Sequence, residues 1–263
     1  KFEGPRKKAS ELNGYAAGLR RELHAHPEVE HELPFTEGVI VRELGKLDLD
    51  TLRPGMGRGH GVCADLVGGR PGKVLALRAD MDALPVKEET GLPFASTNGC
   101  MHACGHDGHI TIGVAMAKLI AQNLDDFEGK FRFIFQTAEE GTRGAVPMEQ
   151  AGVLEGVDYL LGGHIGFQAK TSGGIICGTN KLLATSKFDV NFTGNSAHAA
   201  GAPQEGANAL LAAAQAALAM HGITRHADGV TRINVGVLRA GEGRNVIAPN
   251  GYIACETRGE TTE

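Results

Sequence analysis

The sequence lacks long hydrophobic runs and any excess of positive charge. No apolar stretch approaches the roughly 18 residues that a membrane span requires, and residues 1–6 carry charges where a signal peptide needs an apolar core. The net charge of −5 provides no basic surface for nucleic acid or for an anionic membrane. We therefore expect a cytoplasmic protein that contacts neither a membrane nor nucleic acid and acts on a small molecule.

A disulfide pattern and several common motifs are also missing. The five cysteines, at positions 63, 100, 104, 177 and 255, are an odd number and widely spaced, unlike a disulfide framework. The sequence has no G-x-G-x-x-G turn opening a helix, no phosphate-binding loop and no G-x-S-x-G elbow. Nucleotide binding and serine hydrolysis therefore lose their usual signatures.

One short segment contains an unusual concentration of potential metal ligands. Residues 102–109 read His-Ala-Cys-Gly-His-Asp-Gly-His, and the adjacent pair Glu139 and Glu140 and then His164 follow downstream. Any one of these residues is more often buried or solvated without a function. Thiolate and imidazole together are typical zinc ligands, and carboxylates extend the range toward manganese. The combination predicts a hydrolytic metal site.

Alternating strand and helix patterns predict an open α/β sheet in the first part of the chain. Apolar runs at 62–67 and 74–77, separated by a glycine-rich turn, predict a hairpin. Strand-type runs at 131–136 and 159–163 end just before the Glu-Glu pair and His164. Because ligands gather where the strands of such sheets end, we expect these side chains to meet at one edge.

A helix predicted over 109–124 places the cysteine-histidine cluster at a helix N-terminus. Its apolar residues recur at helical spacing and predict a buried stripe of Ile112, Met116, Leu119 and Ile120. The pattern changes near residue 184, where a strand with one polar face (187–193), an alanine-rich helix (207–220) and strands at 232–238 and 252–257 follow. This β-α-β-β order is most of a split β-α-β unit. We expect a catalytic α/β domain over 1–183 and a smaller α+β domain over 184–263.

Six strings carry a family resemblance: RADMDALP, MHACGHDGH, QTAEEGTRGA, GNSAHAAGAPQEGANAL, GEGRNVIAP and ETRGE, in that order. The chain resembles the dinuclear metal aminoacylase and carboxypeptidase superfamily, in the amidohydrolase branch where a cysteine binds metal. The resemblance implies an open mixed-sheet catalytic domain with an inserted ferredoxin-like lid and dimerisation domain. It also implies two divalent ions, Zn or Mn, and a homodimer; a further implied partner is a related second subunit.

The resemblance implies a role for each matching residue. The metal ligands are Cys104, His106, Glu140 and His164. Glu139 is the general base, and Asp82 orients a ligand. His198 reaches across a dimer interface to polarise the scissile carbonyl, while Asn245 and Arg258 hold the substrate carboxylate. The C-terminal part of the family's catalytic domain, with its last histidine ligand, has no counterpart here, so we expect a natural chain about 100–150 residues longer.

Some assignments stay open at this point. Asp80 is either a solvated or capping acid or a support for a ligand, and Arg258 alternatively pairs with Glu256 or Glu260. His102 and His109 either approach the metals or have structural roles.

The implied reaction is hydrolysis of an N-acyl or N-aroyl amino acid by a metal-activated hydroxide. p-Aminobenzoyl-glutamate is the favoured substrate, and hippurate or N-acetyl-diaminopimelate are alternatives. Two other classes of function also remain: a hydrolase that uses Cys104 as its nucleophile, and a non-catalytic subunit of a hetero-oligomeric hydrolase.

Overall fold

The computed structural model describes residues 3–141, 143–166, 169, 171–177, 183–223, 225–227 and 229–260. The chain separates into two compact units, Lys1–Ser172 and Gly173–Glu263. This division precedes the expected boundary at residue 184, where the first strand of the second unit begins. Within the described residues, no helix has both the length and the apolar character needed to cross a bilayer.

In its described residues, the first unit combines five α-helices with five strands. Its helices are α1 (Glu3–Glu11), α2 (Asn13–His24), α3 (Pro34–Leu44), α4 (His106–Ala121) and α5 (Ala145–Gln150). Its strands are β1 (Thr51–Met56), β2 (Gly61–Val67), β3 (Arg70–Asp80), β4 (Glu128–Gln136) and β5 (Tyr159–Gly162). Proline at the start of α3 fits a position where the backbone N–H has no partner within the helix.

The five strands form one mixed sheet in the order β1-β2-β4-β3-β5. Strand β3 pairs in parallel with β4 on one side and with β5 on the other. Strand β2 pairs antiparallel with both β1 and β4. The predicted mixed sheet is confirmed, but the predicted hairpin between β2 and β3 is wrong because β4 lies between them. The glycine-rich turn instead wraps the start of β4, where the Gly68 N–H donates to the Gly129 carbonyl at 2.7 Å.

Helices α2, α3 and α4 share a core with one face of this sheet. The largest buried side chains of this core are Leu23, Leu33, Ile40, Leu44, Leu66, Met81, Ile110, Phe133 and Phe135. The predicted stripe of α4 is wrong in part, since Ile112 and Met116 are 51% and 36% exposed. The helix instead buries Ile110, Val114 and Ala117, and it approaches β4 closely at Gly113, where a Cβ would lie 2.9 Å from the Phe135 ring.

The second unit contains β6 (Ala184–Thr193), α6 (Ala209–His221), β7 (Thr231–Ala240) and β8 (Asn250–Gly259). Strand β8 lies between β6 and β7 and is antiparallel to both, so β6 and β7 are parallel. This is the split β-α-β arrangement predicted from the sequence. The Asn208 side chain caps α6 by accepting from two backbone N–H groups, and the helix packs on Ile253 and Cys255.

Glu43 joins α3 to α2 through a buried carboxylate. It accepts hydrogen bonds from Tyr15 Oη at 2.9 Å, Lys46 Nζ at 2.7 Å and Arg42 Nε at 2.8 Å. Burial opposes its ionisation, but the hydrogen bonds from Lys46, Arg42 and Tyr15 prevail and lower the pKa of Glu43 to about 2.

We expect Glu43→Gln to lower the free energy of unfolding by about 1–2 kcal/mol near pH 7, because charge-assisted hydrogen bonds are lost while their cationic partners stay partly solvated. The folded pKa lies below the ordinary value of 4.5. The carboxylate's contribution is therefore complete above that pH and disappears as the pH falls through about 2. Urea unfolding of both proteins at several pH values measures this difference. A difference that grows on acidification contradicts the assignment.

Candidate metal centre

The ends of the three parallel strands bring the predicted site residues to one edge of the sheet. Asp80 is the last residue of β3, Glu139 and Glu140 follow β4, and His164 follows β5. Parallel strands end on the same side, so these side chains converge. The N-terminus of α4 adds Cys104 and His106 at the same edge.

Short distances connect the four predicted ligands. The Cys104 Sγ lies 3.3 Å from His164 Nε2, and ligand atoms of these residues and His106 all lie within 4.8 Å of one another. The His106 Nε2 lies 3.8 Å from Glu140 Oε1 and 3.8 Å from Glu139 Oε2. The structure therefore brings the predicted ligands and the predicted base into one cluster.

His106 provides the test of whether a metal ion fits. Its Nδ1 donates to the backbone carbonyl of Asp82 at 2.7 Å, so the lone pair of a neutral ring is on Nε2. That nitrogen is fully buried and has no hydrogen-bond partner in the described part of the chain. A buried nitrogen lone pair facing carboxylates and a thiol suits a divalent cation, since the donor set matches zinc and its neighbours.

Asp82 fixes the Glu139-Glu140 turn. Its Oδ1 accepts from the Glu139 N–H at 2.8 Å and its Oδ2 from the Glu140 N–H at 3.0 Å. Burial disfavours its charge, but the contact with His106 and both backbone N–H groups lower the pKa of Asp82. Asp82 thus positions two parts of the site, since its carboxylate holds the Glu139-Glu140 backbone and its backbone carbonyl holds His106.

Two residues in left-handed backbone conformation give the site its turns. Ala138, buried and with φ of 54°, redirects the chain directly before Glu139, which lets both adjacent glutamates face His106. Gly105, with φ of 91°, lies between Cys104 and His106 at the start of α4. A left-handed alanine is uncommon and costs free energy, which is typical of functional sites.

The electrostatic field of the cluster is strongly negative. Burial, a hydrogen bond to Glu140 and the charges of Glu140, Glu139 and Asp80 raise the pKa of the Cys104 thiol to about 12. A cysteine nucleophile needs the opposite shift, which counts against the cysteine-hydrolase alternative. A cation placed among these groups would instead stabilise the thiolate.

The structure shows the surroundings of Asp80, His109 and His102, whose roles the sequence left open. Asp80 is fully buried, and its two oxygens bind Arg78 and His109, so it is not a solvated acid. His109 has both ring nitrogens engaged, which leaves it no free ligand atom. His102 is buried with neither nitrogen hydrogen-bonded to a described residue, and burial lowers its pKa to about 4.

A second layer of charged residues was missed by the sequence analysis. His24 of α2 lies between Asp107, at 2.7 Å, and Glu88, at 3.2 Å, and Arg20 Nε donates to Asp107 at 2.8 Å. Asp107 follows His106 directly, so α2 holds the first turn of α4. The partners are far apart in the chain, and no spacing in the sequence signals their contact.

The second unit carries the remaining predicted residues. His198 and Asn245 lie on neighbouring segments, since the Ala199 N–H donates to the Asn245 carbonyl at 3.0 Å. Arg258 lies near the far end of β8 and pairs with Glu256 at 2.9 Å, as the alternative interpretation had it. At about 3.3 Å per residue, the stretch of β8 from Asn250 to Arg258 spans about 26 Å. Asn245 precedes this strand, whereas Arg258 lies close to its end.

The fold and the cluster together define a metal-binding α/β class, and comparison with known proteins identifies the family. The sequence matches peptidase family M20/M25/M40 over residues 76–241, and the chain belongs to this family. The resemblance predicted from the motifs is confirmed.

Relatives of assigned function cover most of this chain. It is 50% identical over 207 residues to a p-aminobenzoyl-glutamate hydrolase subunit of Escherichia coli (strain K12), covering 76% of this chain and 47% of that protein. It is 51% identical over 211 residues to indole-3-acetyl-aspartic acid hydrolase of Enterobacter agglomerans, covering 77% and 48%. The chain spans about half the length of these relatives.

Solved structures give the same result. An aminobenzoyl-glutamate utilization protein from Klebsiella pneumoniae matches with a TM-score of 0.73 and 36% identity, covering 98% of this chain and 70% of that one. A dinuclear metal-binding peptidase of family M20 from Bacillus subtilis matches with a TM-score of 0.68 and 30% identity, covering 96% and 66%.

We expect Asp82→Asn in the full-length protein to lower Zn²⁺ affinity by about 10- to 100-fold, the usual effect of losing a residue that orients a ligand. An amide has a single acceptor oxygen, so one of the two backbone N–H groups would lose its partner. Competition with a chromophoric chelator measures the affinity. Asp65→Asn is the control, because Asp65 is also buried and binds Arg132 at 2.7 Å elsewhere in the sheet. It should lower stability and leave Zn²⁺ affinity unchanged, and equal losses in both variants would refute the assignment.

Proposed function

We propose that the chain carries the site of a metal-dependent amidohydrolase that cleaves an N-acyl or N-aroyl amino acid. The buried Nε2 of His106, which has no hydrogen-bond partner among the described residues and lies among carboxylates and a thiol, is the observation that carries the proposal. The names of two relatives each describe a conjugate of an aromatic acyl group with an acidic amino acid. We therefore favour p-aminobenzoyl-glutamate as the substrate, with hippurate and N-acetyl-diaminopimelate types as alternatives.

Cys104, His106, Glu140 and His164 would hold two divalent ions, zinc or manganese. When bound, such ions supply Lewis acidity, which acidifies water and polarises a carbonyl. Both glutamates lie equally far from His106 Nε2, but Glu140 also contacts Cys104, and its side chain is 23% exposed against 39% for Glu139. These differences support Glu140 as a ligand and Glu139 as the base facing solvent.

Glu139 would accept a proton on its carboxylate from the attacking water and later deliver that proton to the leaving amide nitrogen. Asp82 would keep Glu139 in place through the backbone N–H that it binds. The substrate must then lie on the solvent side of the two glutamates.

His198 would supply a hydrogen bond to the scissile carbonyl. Its Nδ1 accepts from the backbone N–H groups of Ala200 and Gly201 at 3.2 and 3.0 Å, so a neutral ring carries its proton on Nε2. His198 is exposed, which leaves that N–H accessible to a ligand.

A homodimer is supported by the separation of Asn245 and Arg258. Arg258 lies about 26 Å of strand beyond Asn250, whereas Asn245 precedes that strand, so a pair that holds one substrate carboxylate would draw these two residues from different copies. Insertion of the second unit into a larger catalytic domain, a final histidine ligand outside this sequence and a cytoplasmic location all stay predictions.

A second candidate function is that of one component in a hetero-oligomeric hydrolase. It is favoured by the name of the Escherichia coli relative, which describes one subunit of a hydrolase. Turnover of p-aminobenzoyl-glutamate by the purified full-length chain alone supports the first candidate, and turnover that requires a second protein supports the other.

The two glutamates should respond differently to amidation. We expect Glu139→Gln to keep its metal content and to lose about 100-fold or more in kcat, the usual effect of removing a general base. Glu140→Gln should lose metal first, because a ligand is removed. Metal analysis by plasma emission and steady-state kinetics separate the two effects. If Glu139→Gln loses metal as readily as Glu140→Gln, the roles are misassigned.

Complementation tests the role of His198 across a dimer. Neither His198→Ala nor Glu139→Gln should be active alone, but a hybrid dimer of the two should regain activity, since one of its composite sites is intact. Differently tagged chains, mixed and purified as hybrids, provide the measurement. Hybrids that form but stay inactive would exclude action across the interface.

A further inference from the structure

His109 lies beside the candidate metal centre, and neither of its ring nitrogens is free. It lies one turn after His106 on α4 and is 5% exposed. Its Nδ1 lies 2.5 Å from Asp80 Oδ1, and its Nε2 lies 2.8 Å from the backbone nitrogen of Ile165. The residue therefore joins α4 both to β3 and to the segment that follows β5.

The partners of His109 define its tautomer. A backbone N–H can only donate, so Nε2 accepts from Ile165 and is unprotonated, while Nδ1–H donates to Asp80. The other oxygen of Asp80 accepts from Arg78 Nη1 at 2.5 Å. Arg78 Nε also donates to Gln136 Oε1 at 3.0 Å, which extends this relay to β4.

This chain of hydrogen bonds ends next to His164, a predicted metal ligand. Ile165 follows His164 directly, and residues 163–166 lie beyond β5, outside any helix or strand. The rings of His109 and His164 are in edge contact, with centroids 4.7 Å apart. His164 Nδ1 donates to the Ile165 carbonyl at 2.6 Å, which turns Nε2 toward Cys104 at 3.3 Å.

We propose that His109 is a positioning residue for this site: by accepting the Ile165 N–H, it holds the backbone that presents His164 to Cys104. Asp80 and Arg78 fix the ring and its tautomer. His109 is not itself a ligand, because its only lone pair on nitrogen is used by the backbone. The inference deepens the proposed function and rests on it.

The test compares variants of the full-length protein that differ in the acceptor at this position. His109→Gln keeps an acceptor oxygen near the Nε2 position, whereas His109→Phe keeps the ring shape and has no acceptor. His109→Met, flexible and apolar, repeats the second test with less steric demand. His102→Phe is the matched control, since His102 is a buried histidine near Cys104 whose nitrogens bind no described residue.

The readouts are Zn²⁺ affinity and stoichiometry by chelator competition, the absorption spectrum of the Co²⁺-loaded protein, and the thermal unfolding midpoint. We expect His109→Phe and His109→Met to lose about 10- to 100-fold in metal affinity and to show an altered Co²⁺ spectrum. His109→Gln should retain most of the affinity and the parent spectrum. His102→Phe should match the parent in both readouts.

Several results would overturn the proposal. Parent-like affinity and spectrum in both His109→Phe and His109→Met would show that no acceptor is needed. Equal losses of metal affinity in His109→Gln and His102→Phe would show that replacing any buried histidine near the site weakens binding, whether or not an acceptor is kept. A parent protein that binds no metal would instead refute the proposed function, which separates that failure from failure of the positioning role.

Discussion

The parallel pairing of β3 with β4 and β5 is the constraint on which the site depends. It brings the ends of three strands to one sheet edge, so residues more than eighty positions apart in sequence, such as Asp80 and His164, become neighbours. Antiparallel pairing would send alternate strand ends to opposite edges. The site therefore depends on the position of β4 between β2 and β3, which replaces the hairpin that the local sequence favours.

At that edge, Asp82 organises the Glu139-Glu140 turn and the start of α4. Its carboxylate oxygens accept from the backbone N–H groups of Glu139 and Glu140, and its backbone carbonyl accepts from His106 Nδ1. The left-handed Ala138 is stabilised by this arrangement, because the turn that it creates is held by charge-assisted hydrogen bonds. The hydrogen bonds of Asp82 thus both stabilise the strained backbone at Ala138 and fix the positions of Glu139 and Glu140.

The sequence predicted the features that depend on local pattern or on contiguous motifs. Strand ends before Glu139 and His164 and the β-α-β-β order of the second unit are all present, and the helix beside the cysteine-histidine cluster, predicted from residue 109, starts at His106. Features that depend on long-range contacts were not predictable. The insertion of β4, the exposure of Ile112 and the contact of His24 with Asp107 follow from packing that no spacing encodes. His109 is intermediate, since the sequence placed it at the start of the predicted helix beside the cluster but did not reveal its partners.

The buried charges explain why such partners are needed at all. Asp80, Asp82 and the glutamate pair gather negative charge at a partly buried edge, where each charge costs free energy unless it is compensated. Arg78 and His109 compensate Asp80, and the backbone N–H groups compensate Asp82. The carboxylates of Glu139 and Glu140 both face His106 Nε2, at 3.8 Å each. A divalent cation placed beside that nitrogen would offset the negative charge that the four carboxylates gather at this edge.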